Sequence, residues 1–109
     1  QMMLGMYDMT LHTKQGADPL KTYFSMAKDY SGFEPVPEDV FPAQFGHLIG
    51  YSAGYYGYLW SVVFAEDMFS KFKAQGVLNK DLGMKYRRII LEQGNMKEPS
   101  ELLRQFLGR

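Results

Sequence analysis

The chain has no cysteine. That excludes disulfides and thiolate-held metals, and it fits a reducing compartment such as the cytoplasm. It has no excess of either charge, with 12 lysines and arginines against 12 aspartates and glutamates. Such a balance gives no electrostatic basis for binding nucleic acid or an anionic membrane. There is no basic-then-apolar leader at the start, so secretion is unsupported. Alternation of apolar and polar residues is missing too, and no segment repeats, so no strand is expected. At 109 residues, one small domain with a modest core is expected.

Helical periodicity is what remains, and it predicts an all-α chain of about five helices. Met2, Met6 and Met9, with Leu4 and Leu11, recur at helical spacing with no cap before them. This is the pattern expected of a helix entered part-way, in a piece of a longer chain, and it should fade near Thr13. Asp18-Pro19 starts a second helix: the carboxylate can accept from orphan amides, and proline tolerates the first helical position. Leu20, Tyr23, Phe24, Ala27 and Tyr30 form its apolar stripe, and Gly32 closes it. Pro35, Pro37 and Pro42 make Phe33 to Phe41 an irregular connection. A long helix is predicted from Tyr55 to Gln75. Its first half, including Leu59, Trp60, Val62 and Val63, is apolar nearly all round and should be covered core. Its second half turns Met68, Phe69 and Phe72 inward and Lys71 and Lys73 outward. Asn79 caps a fourth helix ending at Gly94, and Pro99 begins a fifth with Leu102, Leu103, Phe106 and Leu107 inward.

Charge is missing from one long stretch. Between Asp39 and Glu66 the only ionisable side chains are His47 and tyrosines. The window is long enough to span a bilayer, but Pro42, Gln44, His47, Ser52 and several tyrosines in its middle argue against a membrane helix. Within it, Gly46 to Ser61 (GHLIGYSAGYYGYLWS) holds four glycines, five aromatics and a histidine. Each glycine costs about 1 kcal/mol inside a helix relative to alanine. Each buried phenol also needs a hydrogen-bond partner. A glycine-rich loop running into a helix answers both, with Tyr51, Tyr55 and Tyr58 aimed into a wet cleft. Pattern alone leaves open whether this is a site or structural filler.

The segments FGHLIGYSAGYYGYLWS, VFAEDMF, FKAQGVLN, GMKYRRIIL and LLRQFLGR, with LHT and ADPLKTYF upstream, resemble the C-terminal part of the thimet oligopeptidase family. That family of zinc metallopeptidases includes neurolysin, oligopeptidase A and bacterial dipeptidyl carboxypeptidase. The resemblance implies a helical, two-lobed parent that cleaves short peptides, with zinc held by an H-E-x-x-H helix. No H-E-x-x-H occurs here, and His12 and His47 stand far apart, so the zinc segment is expected upstream and this chain alone is expected to bind no metal and to be inactive. By resemblance, His47 and Tyr58 face the scissile peptide and stabilise its oxyanion. Tyr51 and Tyr55 bond to the substrate backbone, while Gly50 and Gly54 give the loop mobility. A phenol with a pKa of about 10 suits this role, since it stays a neutral donor. Two departures stand out: Ile49 precedes Gly50 where the family often has paired glycines, and Met96 replaces a frequent capping serine. The family's chain also usually continues a little past FLGR.

Other candidates read as structural. His12 is expected to be a structural hydrogen-bonder, and Tyr7, Tyr23, Tyr30 and Tyr86 to be core or boundary. Lys85, Arg87 and Arg88 read as a solvated face. Two functions follow: the substrate-binding part of a zinc oligopeptidase, acting on short peptides with the rest of its parent as partner, or a free-standing helical binding or dimerisation module. On the first, the isolated piece should self-associate through its uncovered apolar helix.

Overall fold

Every regular element in the computed structural model, which describes residues 1–109, is helical. The α-helices are α1 (Met2–Thr13), α2 (Pro19–Ser31), α3 (Phe41–Gln44), α4 (His47–Gly50), α5 (Gly57–Gln75), α6 (Lys80–Tyr86) and α7 (Pro99–Leu107), with a π-helical turn at Arg87–Leu91. The five longer helices are those the periodicity announces. The short α3 and α4 are single turns that it does not. No helix is long and apolar enough to cross a membrane. The chain divides into two units, residues 1–60 and 61–109.

In the first unit α1 packs on α2. The Asp18 carboxylate accepts from the Lys21 amide at 2.9 Å, and Gly32 ends α2 in the left-handed region at φ 73°. Tyr7, Phe45 and Tyr55 form the buried centre, with Leu4, Leu11, Tyr23, Met26, Phe41 and Leu48 around them. The inward face of α1 is therefore the series Leu4, Tyr7, Asp8 and Leu11, which keeps helical spacing. The methionines do not lead it: Met2 and Met6 are exposed. Tyr7 donates to the Pro19 carbonyl at 3.1 Å, which ties α1 to the start of α2. Tyr30, expected at the core boundary, is exposed near the end of α2.

The second unit closes around Leu82, Leu102 and Phe106. The rings of Phe72, Tyr86 and Phe106 meet there at centroid separations of 5.6 to 6.2 Å. Asn79 accepts from the Leu82 amide and starts α6 as expected. Lys71 does not point to solvent as its position in the pattern suggests. Its ammonium donates to the Phe106 carbonyl at 2.9 Å and lies over that ring. A cation there answers the orphan carbonyls and the negative dipole end of α7. Beyond Tyr86 the ladder widens by one residue, with the Glu92 amide donating to the Arg87 carbonyl, the bond of a π turn.

The largest departure is the start of α5. Leu59, Trp60, Val62 and Val63 are 39, 60, 50 and 60 % exposed, so Trp60 is not core. One unit closes around Tyr7 and the other around Phe106, and neither buried centre takes in these side chains. The helix also begins at Gly57 and not at Tyr55.

Candidate functional site

The glycine–tyrosine segment hangs from Phe45. That ring is buried, stacks on Phe41 at 5.1 Å and meets Tyr55 edge-on at 5.0 Å. From this anchor the chain makes one helical turn, loops through residues 51–56 and enters α5. His47 opens the turn and Tyr58 lies in the first turn of α5, so both ends of the loop carry a polar ring.

The structure brings all four ring residues singled out in the sequence into one cluster. The His47 imidazole stacks on Tyr51 at 5.5 Å and meets Tyr55 and Tyr58 edge-on at 5.2 and 5.8 Å. Tyr55 and Tyr58 are themselves 4.9 Å apart. Tyr58 Oη is 3.2 Å from His47 Nε2. Tyr55 is buried, His47 is half-buried, and Tyr51 and Tyr58 are exposed. Partial desolvation, the Tyr51 hydroxyl and the neighbouring Tyr55 push the Tyr58 phenol above its ordinary pKa. It therefore stays a neutral hydrogen-bond donor at physiological pH.

A cleft of about 640 Å³ is lined by His47, Gly50, Tyr51 and Tyr55, together with Leu4 and Phe45. Tyr58 joins this group through its contact with the imidazole. A second cleft of similar volume, about 660 Å³, is bordered by Pro19, Leu20, Val40 and Pro42. Its single acid, Asp18, already caps α2, so it offers no comparable set of donors.

The two glycines do different things. A Cβ on Gly54 would lie 2.6 Å from the Tyr51 carbonyl oxygen, so no side chain fits there, whereas a Cβ on Gly50 meets nothing within 4 Å. The left-handed backbone falls on neither. It falls on Ser52 and Ala53, at φ 30° and 64°. Such conformations cost on the order of 1–3 kcal/mol for each non-glycine residue and persist only when the surroundings hold them.

Asp8 holds the chain at Ala53 and again at Tyr55. This carboxylate is 1 % exposed. One oxygen accepts from the Ala53 amide at 3.1 Å and the other from the Tyr55 amide at 2.9 Å. His12 Nδ1 lies 2.8 Å from the Asp8 carbonyl and 3.0 Å from its Oδ1. A backbone carbonyl can only accept, so Nδ1 carries the proton and donates. His12 is thus a structural hydrogen-bonder, as expected. Hydrogen bonds to a charged group contribute about 1.5–3 kcal/mol each, enough to offset the strain in the loop. A signal for Asp8 did exist: it shares one helical face with Leu4 and Leu11, an odd place for a carboxylate without partners.

No three histidine, cysteine, aspartate or glutamate side chains converge as a metal ion would require. The residues of this chain do not by themselves fit zinc.

The model of peptidase family M3 matches residues 1–109. The chain belongs to peptidase family M3. Among curated relatives, it is 37 % identical over 115 residues to oligopeptidase A of Salmonella typhimurium, covering all of this chain and 17 % of that protein. It is 35 % identical over 111 residues to the mitochondrial intermediate peptidase of Schizosaccharomyces pombe, covering 98 % of this chain and 15 % of the other. It is 34 % identical over 119 residues to a probable cytosolic oligopeptidase A of Arabidopsis thaliana, covering all of this chain and 17 % of that protein. This M3 chain therefore spans less than a fifth of the length of these relatives.

Proposed function

We propose that the chain is the C-terminal, substrate-binding part of the catalytic domain of a longer oligopeptidase that hydrolyses short peptides. Membership of the M3 family supports the class of reaction. The observation that carries the role of this segment is the gathering of His47, Tyr51, Tyr55 and Tyr58 in one ring cluster, the first three of them lining a cleft. In one tautomer His47 Nε2–H donates to the Tyr58 oxygen, so the phenolic hydrogen faces the Tyr51 hydroxyl and can be handed over to an incoming oxygen. That hydrogen and the imidazole edge can then meet the negative oxygen that develops when a peptide carbonyl is attacked. Donors fixed before the charge appears are among the largest contributions to catalysis. Tyr51 and Tyr55, at the cleft, would hold the peptide backbone. Gly54 lets the loop fold back on the Tyr51 carbonyl, and Gly50 leaves the wall beside His47 open.

Any zinc of the parent would be held by residues outside this chain. We place the parent in the cytoplasm, in keeping with the cytosolic name of one relative; another is named mitochondrial. The exposed face of α5 favours a second reading, a binding or dimerisation module without catalysis. The coding sequence upstream of Gln1 separates the two, because an H-E-x-x-H there supports the peptidase and its absence from the whole parent the module.

The site itself is tested with a peptide and its phosphinic analogue, whose tetrahedral centre imitates the oxyanion. Tyr58→Phe in the parent should weaken the analogue by about a hundredfold and leave the peptide's affinity nearly unchanged. Equal loss for both would make Tyr58 a general binding contact and remove the oxyanion role.

A further inference from the structure

We propose that Asp8 is the positioning residue of this site, and that His12 holds its carboxylate in place. Its importance for chemistry rests on the reading of His47 and Tyr58 given above.

Asp8 bonds to amides 45 and 47 residues downstream, so it joins α1 to the loop and not to its own turn. The two amides flank Gly54. One belongs to Ala53, which holds a left-handed backbone, and the other to Tyr55, whose ring faces His47. Fixing both donors with one rigid carboxylate fixes the path of the chain between them. Tyr58 follows in the first turn of α5, with its amide donating to the Tyr55 carbonyl at 3.2 Å. A shift at Tyr55 is therefore carried to the phenol that meets Nε2.

A second contact fixes the same approach. Gly5, one helical turn before Asp8, would place a Cβ 3.4 Å from the Tyr56 Cα. The helix and the loop lie backbone against backbone at this point. The carboxylate and the glycine share one face of α1, so this face carries both the polar and the steric part of the seat. His12, one turn further on, donates from Nδ1 to the Asp8 carbonyl at 2.8 Å and lies 3.0 Å from Oδ1, so Oδ2 is left to Tyr55 alone.

A role in folding alone predicts something different from a positioning role. Asp8→Asn preserves shape but presents an NH₂ group to one of the two amides. Its effect should be read in the full-length parent, where hydrogen exchange and the ring-nitrogen signals of His47 are measured first. Exchange over residues 51–58 should quicken by about ten- to a hundredfold, the equivalent of one charge-assisted hydrogen bond, while protection in α7 is unchanged. The His47 nitrogen signals should move toward those of Tyr58→Phe. His12→Gln, which keeps a donor, should show less of both effects than His12→Ala. The proposal is overturned if exchange over 51–58 does not change, if protection falls equally throughout the chain, or if the His47 signals stay put. Kinetics then separate the two claims. Loosened exchange and moved His47 signals with kcat unchanged uphold Asp8 as the positioning residue and sink the oxyanion reading. A fall in kcat at steady KM supports both.

Discussion

The Tyr58 hydroxyl and His47 Nε2 lie 3.2 Å apart, joined across eleven residues of chain. The contact makes Tyr58 testable by the removal of one atom. In the parent enzyme Tyr58→Phe should lower kcat and kcat/KM together, by about a hundredfold to a thousandfold, with KM nearly unchanged. Tyr56→Phe is the control. Tyr56 is outside the ring cluster around His47 and is exposed, so removal of its hydroxyl should be nearly silent. If only Tyr56→Phe lost activity, the functional face would be misassigned; if both were silent, the loop would be scaffold.

Gly54 and Gly50 should respond differently to alanine. At Gly54 the new methyl would meet the backbone oxygen of Tyr51, an atom that cannot swing away, so the loop itself must shift. The expected cost is about 1–3 kcal/mol, the usual range for overpacking, with a loss of activity beyond it. Gly50 sits at the end of α4 with open space around it. Alanine there should be neutral or slightly stabilising, because it restricts the unfolded chain. Denaturant midpoints of the two variants decide this, and equal midpoints would remove the steric argument.

Alkaline pH should open the first unit. Burial, then the negative charge of Asp18 and the nearby Tyr23, pushes Tyr7 up to about 12. The hydrogen bond to Asp39, then burial, raises Tyr23 as well. Both phenols hold their protons more tightly when folded than the value of about 10 expected in the unfolded chain. Their contribution to stability is therefore whole below about pH 10 and is lost as pH climbs through the folded values, about 12 for Tyr7. Tyr7→Phe removes the ionisation and keeps the ring. Its alkaline unfolding midpoint, followed by circular dichroism, should lie at higher pH than that of the parent sequence. An unchanged midpoint would mean that Tyr7 does not govern the transition.

What could be read from the sequence was local. The caps at Asp18 and Asn79 and the stop at Gly32 depend on neighbours three or four residues away, and all three stand where the pattern puts them. The ring residues of the loop could be picked out by their type and density. Their arrangement could not, because it depends on Asp8, whose partners lie beyond α2, a proline-rich connection and the short α3 and α4. The strained residues were hidden for a related reason. Left-handed backbone is normally assigned to glycine, yet here it falls on Ser52 and Ala53, and a distant carboxylate holds the Ala53 amide. Lys71 shows the same limit in the second unit: a lysine on the polar side of a helix reads as solvated until a helix terminus comes within its reach.

The exposed start of α5 gives the last prediction. Val62 and Val63 stand beside Leu59 and Trp60, all more than a third exposed. In the proposed parent this face would be covered by protein outside the chain. The isolated chain should then present more apolar surface than the few hundred Å² that a monomer usually leaves open, and it should self-associate. Val63→Glu tests the face without touching either buried centre, since such a surface change alters stability by no more than about 0.5 kcal/mol. The variant should keep its helical circular dichroism, bind less hydrophobic dye and shift toward monomer in light scattering. A chain that is strictly monomeric and dye-free at high concentration would count against the uncovered face. Association that Val63→Glu leaves untouched would place the contact elsewhere on the molecule.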